Sequence, residues 1–175
     1  LGIKLKTKNQ EQSYSCGGQS FSYYGEVLST FFDKHYDPKS ARFIYSQAFS
    51  PEGGGSTSRA CADICTGQGF ADEVLVSSYD VSGHATEAFM RFRDDITDSI
   101  REKAKKNIAL AYAFVGNDFD TLAQAIRDNH GAILGVMGSN NGTWLTKFIS
   151  PTVVGSQWNH WMYAGRAKIV DGVKM

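Results

Sequence analysis

A cysteine stands where a polar loop runs into a long amphipathic stretch, Asn9-Gln10-Glu11-Gln12-Ser13-Tyr14-Ser15-Cys16-Gly17-Gly18-Gln19-Ser20-Phe21. At a helix start, the positive end of the dipole and the backbone N–H groups without intrahelical partners favour the thiolate, the nucleophilic form of cysteine. The small residues after Cys16 leave room for a substrate carbonyl. Attack on a carbonyl creates an oxyanion, which needs donors aimed at it. The backbone N–H of Cys16 is one, and a side-chain amide from the loop, Gln10 or Gln12, is the other.

Such a nucleophile needs a base, and the chain has four histidines. His35, beside Lys34 at a helix end, and His84, in a polar loop, read as surface residues. His130, in Asp128-Asn129-His130-Gly131, caps a turn before a buried strand. His160 differs, because Trp158-Asn159-His160-Trp161-Met162-Tyr163-Ala164 puts it at the start of an aromatic strand that would hold and partly dry an imidazole. Its residue type leaves two readings open, a satisfied core histidine and a general base.

The remaining cysteines, Cys61 and Cys65, are four apart in a helical segment and share one face. They read as small core residues, with a metal half-site or a redox pair as alternatives. Three cysteines cannot all pair, and their spacing matches no zinc framework. Their low number leans toward a reducing compartment.

The elements that must position these groups fit one domain of 175 residues, 42% hydrophobic. Eighteen basic and eighteen acidic residues cancel, so no overall field attracts nucleic acid or an anionic membrane. The longest apolar runs, Ile108 to Val115 and Ala132 to Met137, fall short of the roughly 20 residues that span a bilayer. Phe21, Tyr24, Leu28, Phe31 and Phe32 recur at helical spacing and predict a helix from Cys16 to Asp33 with an apolar stripe. A glycine-rich loop, Ser50 to Ser58, precedes a helix from Ser58 to Gly67. Further helices are predicted over Glu87 to Lys106 and Thr121 to Arg127, the latter capped by Asp118 or Asp120. Five short segments read as strands: Ile108 to Val115, Ala132 to Met137, Thr152 to Val154, His160 to Ala164 and Ala167 to Val170. Asn140-Asn141-Gly142-Thr143 reads as a turn. Helices first and strands second predict an α+β fold of two lobes with a groove between them.

These residues resemble the papain-like cysteine proteases. That family has a Gln, five residues, then the nucleophilic Cys opening a long helix, and Gln10 stands six before Cys16. His160 follows Cys16 by 144 positions (160 − 16), within the roughly 130–150 of papain-like enzymes. Phe43-Ile44-Tyr45-Ser46-Gln47 is similar to the family's Leu-Ser-Glu-Gln segment, Gly54-Gly55 to its double glycine, and Gly131 to Val136 to its Gly-Pro-Val strand. The resemblance spans nearly the whole chain in the right order. It implies Cys16 as nucleophile, His160 as general base and acid, and Gln10 as oxyanion donor. It also implies that the Gly54 and Gly55 backbone and the Asn159 backbone hold an extended peptide, with Trp161 narrowing the main side-chain pocket.

One domain, residues 1–175, is expected, with a left lobe over about 10–106 and a right lobe over 107–175 plus an N-terminal strand in 1–9. The reaction expected is peptide hydrolysis through a thioester, with no metal and no organic cofactor. Acyl transfer or peptide ligation on the same dyad is one alternative, and a catalytically weak binding or assembly domain of a larger protein is the other. Gly17 replaces the Trp that follows the nucleophile in the family, which removes packing beneath the site. Ser13 and Glu52 replace its disulfide pair, a departure that looks more like divergent bacterial or viral members than secreted ones. The family's Asn, which orients the imidazole, has no counterpart from Ala164 to Met175, where Asp171 is the sole carboxylate. The native polypeptide is therefore expected to continue past Met175 and supply an Asn or Asp.

Overall fold

A computed structural model describes residues 4–138, 158–170 and 172–174. The predicted Thr152 to Val154 strand, the Asn140 to Thr143 turn and Asp171 lie outside the described residues. Residues 4–9 form no strand, contrary to expectation. Lys8 instead ties this segment to the helix that follows, its ammonium 2.7 Å from the buried Glu26 carboxylate.

Helix α1, Cys16–Asp33, has the predicted bounds and ends on Lys34 in the left-handed conformation. The predicted stripe holds only in part: Phe21 packs against the core and Tyr24 and Leu28 are partly buried, but Phe31 and Phe32 are exposed, and the fully buried face is Gly17, Gly18, Ser22, Gly25 and Glu26. Small residues win because they let other elements approach the helix axis. A Cβ on Gly18 would lie 2.6 Å from the Ala41 carbonyl and 2.8 Å from Tyr45 Cβ, and one on Gly25 would enter the Phe70 ring. Glycine costs about 1 kcal/mol in a helix interior, and this close packing offsets it.

The element touching Gly18 is α2, Ala41–Ala48, which the sequence reading did not mark as a helix. Ser40 caps it by accepting from the Phe43 N–H, and all its residues except Gln47 are buried. A hairpin of β1, Phe49–Ser50, and β2, Gly55–Ser56, then leads into α3, Ser58–Gly67, with Thr57 as its cap. Cys61 and Cys65 are buried on α3 beside Phe43, Ile44 and Phe70, as core residues.

The helix predicted over Glu87 to Lys106 is broken into α4, Glu87–Arg91, and α5, Asp98–Ala104, followed by a short 3-10 turn over Lys105–Asn107. Arg42 accounts for the break. Its buried guanidinium takes the Phe92 carbonyl at 2.9 Å and both Asp95 carboxylate oxygens at 2.8–2.9 Å, diverting the chain before Thr97 caps α5.

Ile108 to Val115 is not a strand. It runs as irregular chain across α3, with Leu110 and Phe114 exposed, pinned by Tyr112 Oη donating to Asp63 and by Arg59 over the Phe114 ring. Apolar residues suit a strand, but among the described residues no strand lies alongside these, and the Ala109 N–H donates instead to the Cys65 carbonyl of α3 at 3.1 Å. Helix α6, Phe119–Asn129, starts at an Asp118 cap and ends on His130 in the left-handed conformation. Strands β3, Ala132–Gly138, and β4, Trp158–Ala164, pair antiparallel, and β5, Ile169–Val170, forms a hairpin with β6, Val173–Lys174. The order is helix-rich, then strand-rich, in an α+β fold.

Candidate active site

Cys16 is the first residue of α1 and is half-buried. Its backbone N–H therefore belongs to the first turn, whose donors have no intrahelical acceptor. The loop before it closes on itself. Ser13 donates from both its backbone N–H (3.0 Å) and its hydroxyl (2.7 Å) to the Gln10 carbonyl, while the Gln10 amide returns a bond of 2.9 Å to the Ser13 carbonyl. Gln10 has two amide N–H donors, so this bond leaves a second for another acceptor. At Ser13, where the family has a disulfide, the hydroxyl is buried and bonds Ser15 Oγ at 2.6 Å. All three cysteines are free thiols.

Gly54 and Gly55 stand at the turn into β2 with φ of +59° and +142°, conformations that side chains resist. Among the described residues beyond its chain neighbours, none has an atom within 4 Å of a Cβ built on Gly54, and one on Gly55 would come 3.8 Å from the Tyr14 carbonyl. The open glycine backbone thus borders the loop that leads to Cys16.

The space beside Gly17 is filled, contrary to the expected loss of packing. A Cβ there would lie 2.6 Å from Ser56 Oγ, 3.0 Å from Cys61 Sγ and 3.7 Å from the Trp161 indole. Trp161 comes from β4, where its carbonyl accepts from Ser20 Oγ at 2.9 Å and its ring covers Gly135. A ring from the position after His160 thus lies beside Gly17, the residue that follows Cys16.

His160 pairs with Val136 across the sheet and is half-buried, and burial lowers its pKa from the ordinary imidazole value. By strand alternation Trp161 and Tyr163 share a face of β4, and Tyr163 packs against Tyr23 and Tyr24 of α1 with ring centroids 5.1 and 5.6 Å apart. Asn159 is exposed opposite Met137. The structure therefore brings β4 against the first turns of α1, and Gly55 and Gln10 against the loop before it.

The other histidines serve elsewhere. His35 pairs with Asp37 on the surface, and His130 ends α6 with its ring 3.6 Å from that of Phe31. His84 meets Glu11 at 3.2 Å, on the rim of a depression lined by Glu11, Gln12, His84, Ala85 and Thr86.

Burial pushes the Cys61 thiol up to about 12 and raises Cys65 as well, so both stay protonated at neutral pH. Among the described residues no three His, Cys, Asp or Glu side chains group as metal ligands.

Two residues beside Cys16 were not singled out in the sequence. Glu87 accepts from the Tyr14 backbone N–H and from Tyr45 Oη, each at 2.8 Å. Tyr45 is fully buried, and burial, the Glu87 hydrogen bond and nearby negative charge hold its phenol protonated. At the head of a helix, Glu87 reads as an ordinary acidic first-turn residue, which hides this role. The family-like segment around Tyr45 was the one available signal.

This is the α+β fold of the papain-like cysteine proteases. A solved structure with this fold is xylellain, a cysteine protease from Xylella fastidiosa, with a TM-score of 0.73 and 15% sequence identity over 93% of this chain. The chain spans 66% of that protein, just under two thirds of its length. No protein-family model matches the chain, and no curated protein does.

Proposed function

We propose that the chain is a papain-like cysteine peptidase acting on extended peptides, with Cys16 as nucleophile. The observation that carries this reading is the junction of α1 and β4. Cys16 opens an 18-residue helix, and Trp161, the neighbour of His160, is hydrogen-bonded to that helix one turn further on. A cysteine at a helix start and a histidine on the strand packed against it are the two groups that acyl transfer through sulfur requires.

In this reaction His160 holds the proton given up by Cys16, and the thiolate Sγ attacks the scissile carbonyl carbon. The oxyanion is met by the Cys16 N–H and a Gln10 amide N–H. Collapse breaks the C–N bond, and His160 returns the proton to the leaving amine, which leaves a thioester on Cys16. Water, deprotonated by His160, attacks the thioester and releases the carboxylic acid and the free thiol. Gly54, Gly55 and the Asn159 backbone hold the peptide in strand fashion, and Trp161 narrows the adjacent pocket. The left lobe is the helical part to about residue 106 and the right lobe the remainder.

A peptide-like, thiol-reactive epoxide tests the reading. It is expected to modify Cys16 in the folded protein, to leave Cys61 and Cys65 untouched, and to abolish peptide hydrolysis in step with labelling. Equal labelling of folded and urea-unfolded protein would contradict it.

A further inference from the structure

We infer that Glu87 is a positioning residue that splints the nucleophile from both sides, an inference resting on Cys16 being the nucleophile. Its two carboxylate oxygens are divided between different elements. Oε2 holds the backbone N–H of Tyr14, two residues before Cys16, and Oε1 holds the hydroxyl of Tyr45. Tyr45 in turn backs onto Gly18, two residues after Cys16, where a Cβ would come 2.8 Å from Tyr45 Cβ. One side chain therefore spans the loop entering the helix and the support beneath its first turn.

The segment carrying Glu87 is itself fastened to the same loop. The Ala85 N–H donates to Glu11 Oε2 at 2.9 Å, so residues 85–87 and 11–14 are joined at two points. Thr86 caps α4 by accepting from the Phe89 N–H, which fixes the backbone from which Glu87 projects. Arg91, one turn along, lies 4.0 Å over the Phe49 ring and offsets the charge of Glu87 at Tyr45.

Without this carboxylate the loop gains freedom where the oxyanion donors must be aligned. A misplacement of about 1 Å can cost on the order of 10²-fold in rate. Glu87→Ala is expected to lower kcat about 10- to 100-fold, with KM nearly unchanged, and to slow iodoacetamide alkylation of Cys16 about as much. Glu87→Gln should recover to within a few-fold. Its amide oxygen can accept from Tyr14 N–H while its NH₂ donates to the Tyr45 oxygen.

The experiment measures kcat, KM and the Cys16 alkylation rate per folded molecule for wild type, Glu87→Ala, Glu87→Gln and Tyr45→Phe. A fall in both rates for Glu87→Ala, with rescue by Gln and a smaller fall for Tyr45→Phe, supports the inference. Unchanged rates in Glu87→Ala, or a fall that Gln does not rescue, overturn it. If Glu87→Ala does not fold, Tyr45→Phe decides, and wild-type rates in that variant overturn the inference. An unreactive Cys16 in the wild type would instead overturn the proposed function on which the inference rests.

Discussion

Gln10→Ala is expected to lower kcat for peptide hydrolysis by about 10²–10³, equivalent to about 2.7–4 kcal/mol of lost transition-state stabilisation. KM should change little, because the amide meets charge that exists in the transition state and not in the bound peptide. Thermal stability should hold. The loop keeps both bonds from Ser13 to the Gln10 carbonyl, which alanine preserves, and loses one bond from a partly exposed amide. Gln12→Ala is the control, since Gln12 lines the depression beside Glu11 and His84. Steady-state kinetics of the two variants check the assignment, and a larger loss in Gln12→Ala would move the oxyanion donor to that residue.

The largest expected loss of stability comes from Arg42→Ala. Arg42 is 2% exposed and binds the Ser77 carbonyl, the Phe92 carbonyl and the Asp95 carboxylate, while its guanidinium lies 4.6 Å from the Phe89 ring centre. Removing it loses the hydrogen bonds to two carbonyls, at about 0.5–1.5 kcal/mol each, and frees the chain between α4 and α5. Denaturant unfolding should show a loss in that range or above. Arg42→Lys should recover little, because one ammonium cannot reproduce the planar fork. The Arg42 hydrogen bond holds the Asp95 carboxyl below the usual carboxylate range. This part of the wild-type advantage is therefore complete above about pH 4 and is lost as pH falls through the lowered pKa. A variant as stable as the wild type at pH 7 would contradict the role given to Arg42.

Much of the helical half could be read from local signals. The change from polar loop to helical spacing at Cys16 marked the start of α1, and the glycine-rich run marked the start of α3. The pair Asp118 and Asp120 before Thr121 to Arg127 marked α6 within a turn of its true start, because an N-cap is a contact between residues three apart, and Asp118 is the one that caps it. What could not be read depended on residues far apart in sequence. Arg42 breaks the predicted helix after Glu87 from about 50 positions away. The fully buried face of α1 is mostly its small residues, with its aromatics at most partly buried, since Tyr45 and Phe70 determine how closely the helix is approached. The candidate site divides the same way. Cys16, Gln10 and the glycine pair carry local signatures, whereas Glu87 and Tyr45 meet across 42 residues and Glu87 and Tyr14 across 73. In the sequence Gly17 and Trp161 are two separate departures from the family, and only packing, with the indole 3.7 Å from a Cβ on Gly17, joins them.

The central claim is that His160 activates Cys16. Iodoacetamide alkylation, followed by mass spectrometry for each cysteine in wild type and in His160→Ala across pH 5–9, tests it most directly. An ion pair with Cys16 would oppose the effect of burial on the imidazole, because a neighbouring thiolate favours its charged form. Cys16 is therefore expected to be alkylated quickly at pH 6 in the wild type and at least about tenfold more slowly in His160→Ala, with the difference closing as pH approaches the ordinary thiol pKa of about 8.5. Cys61 and Cys65 should stay inert throughout. Equal reactivity of the three thiols at pH 6, or a Cys16 rate unchanged by His160→Ala, would contradict the account.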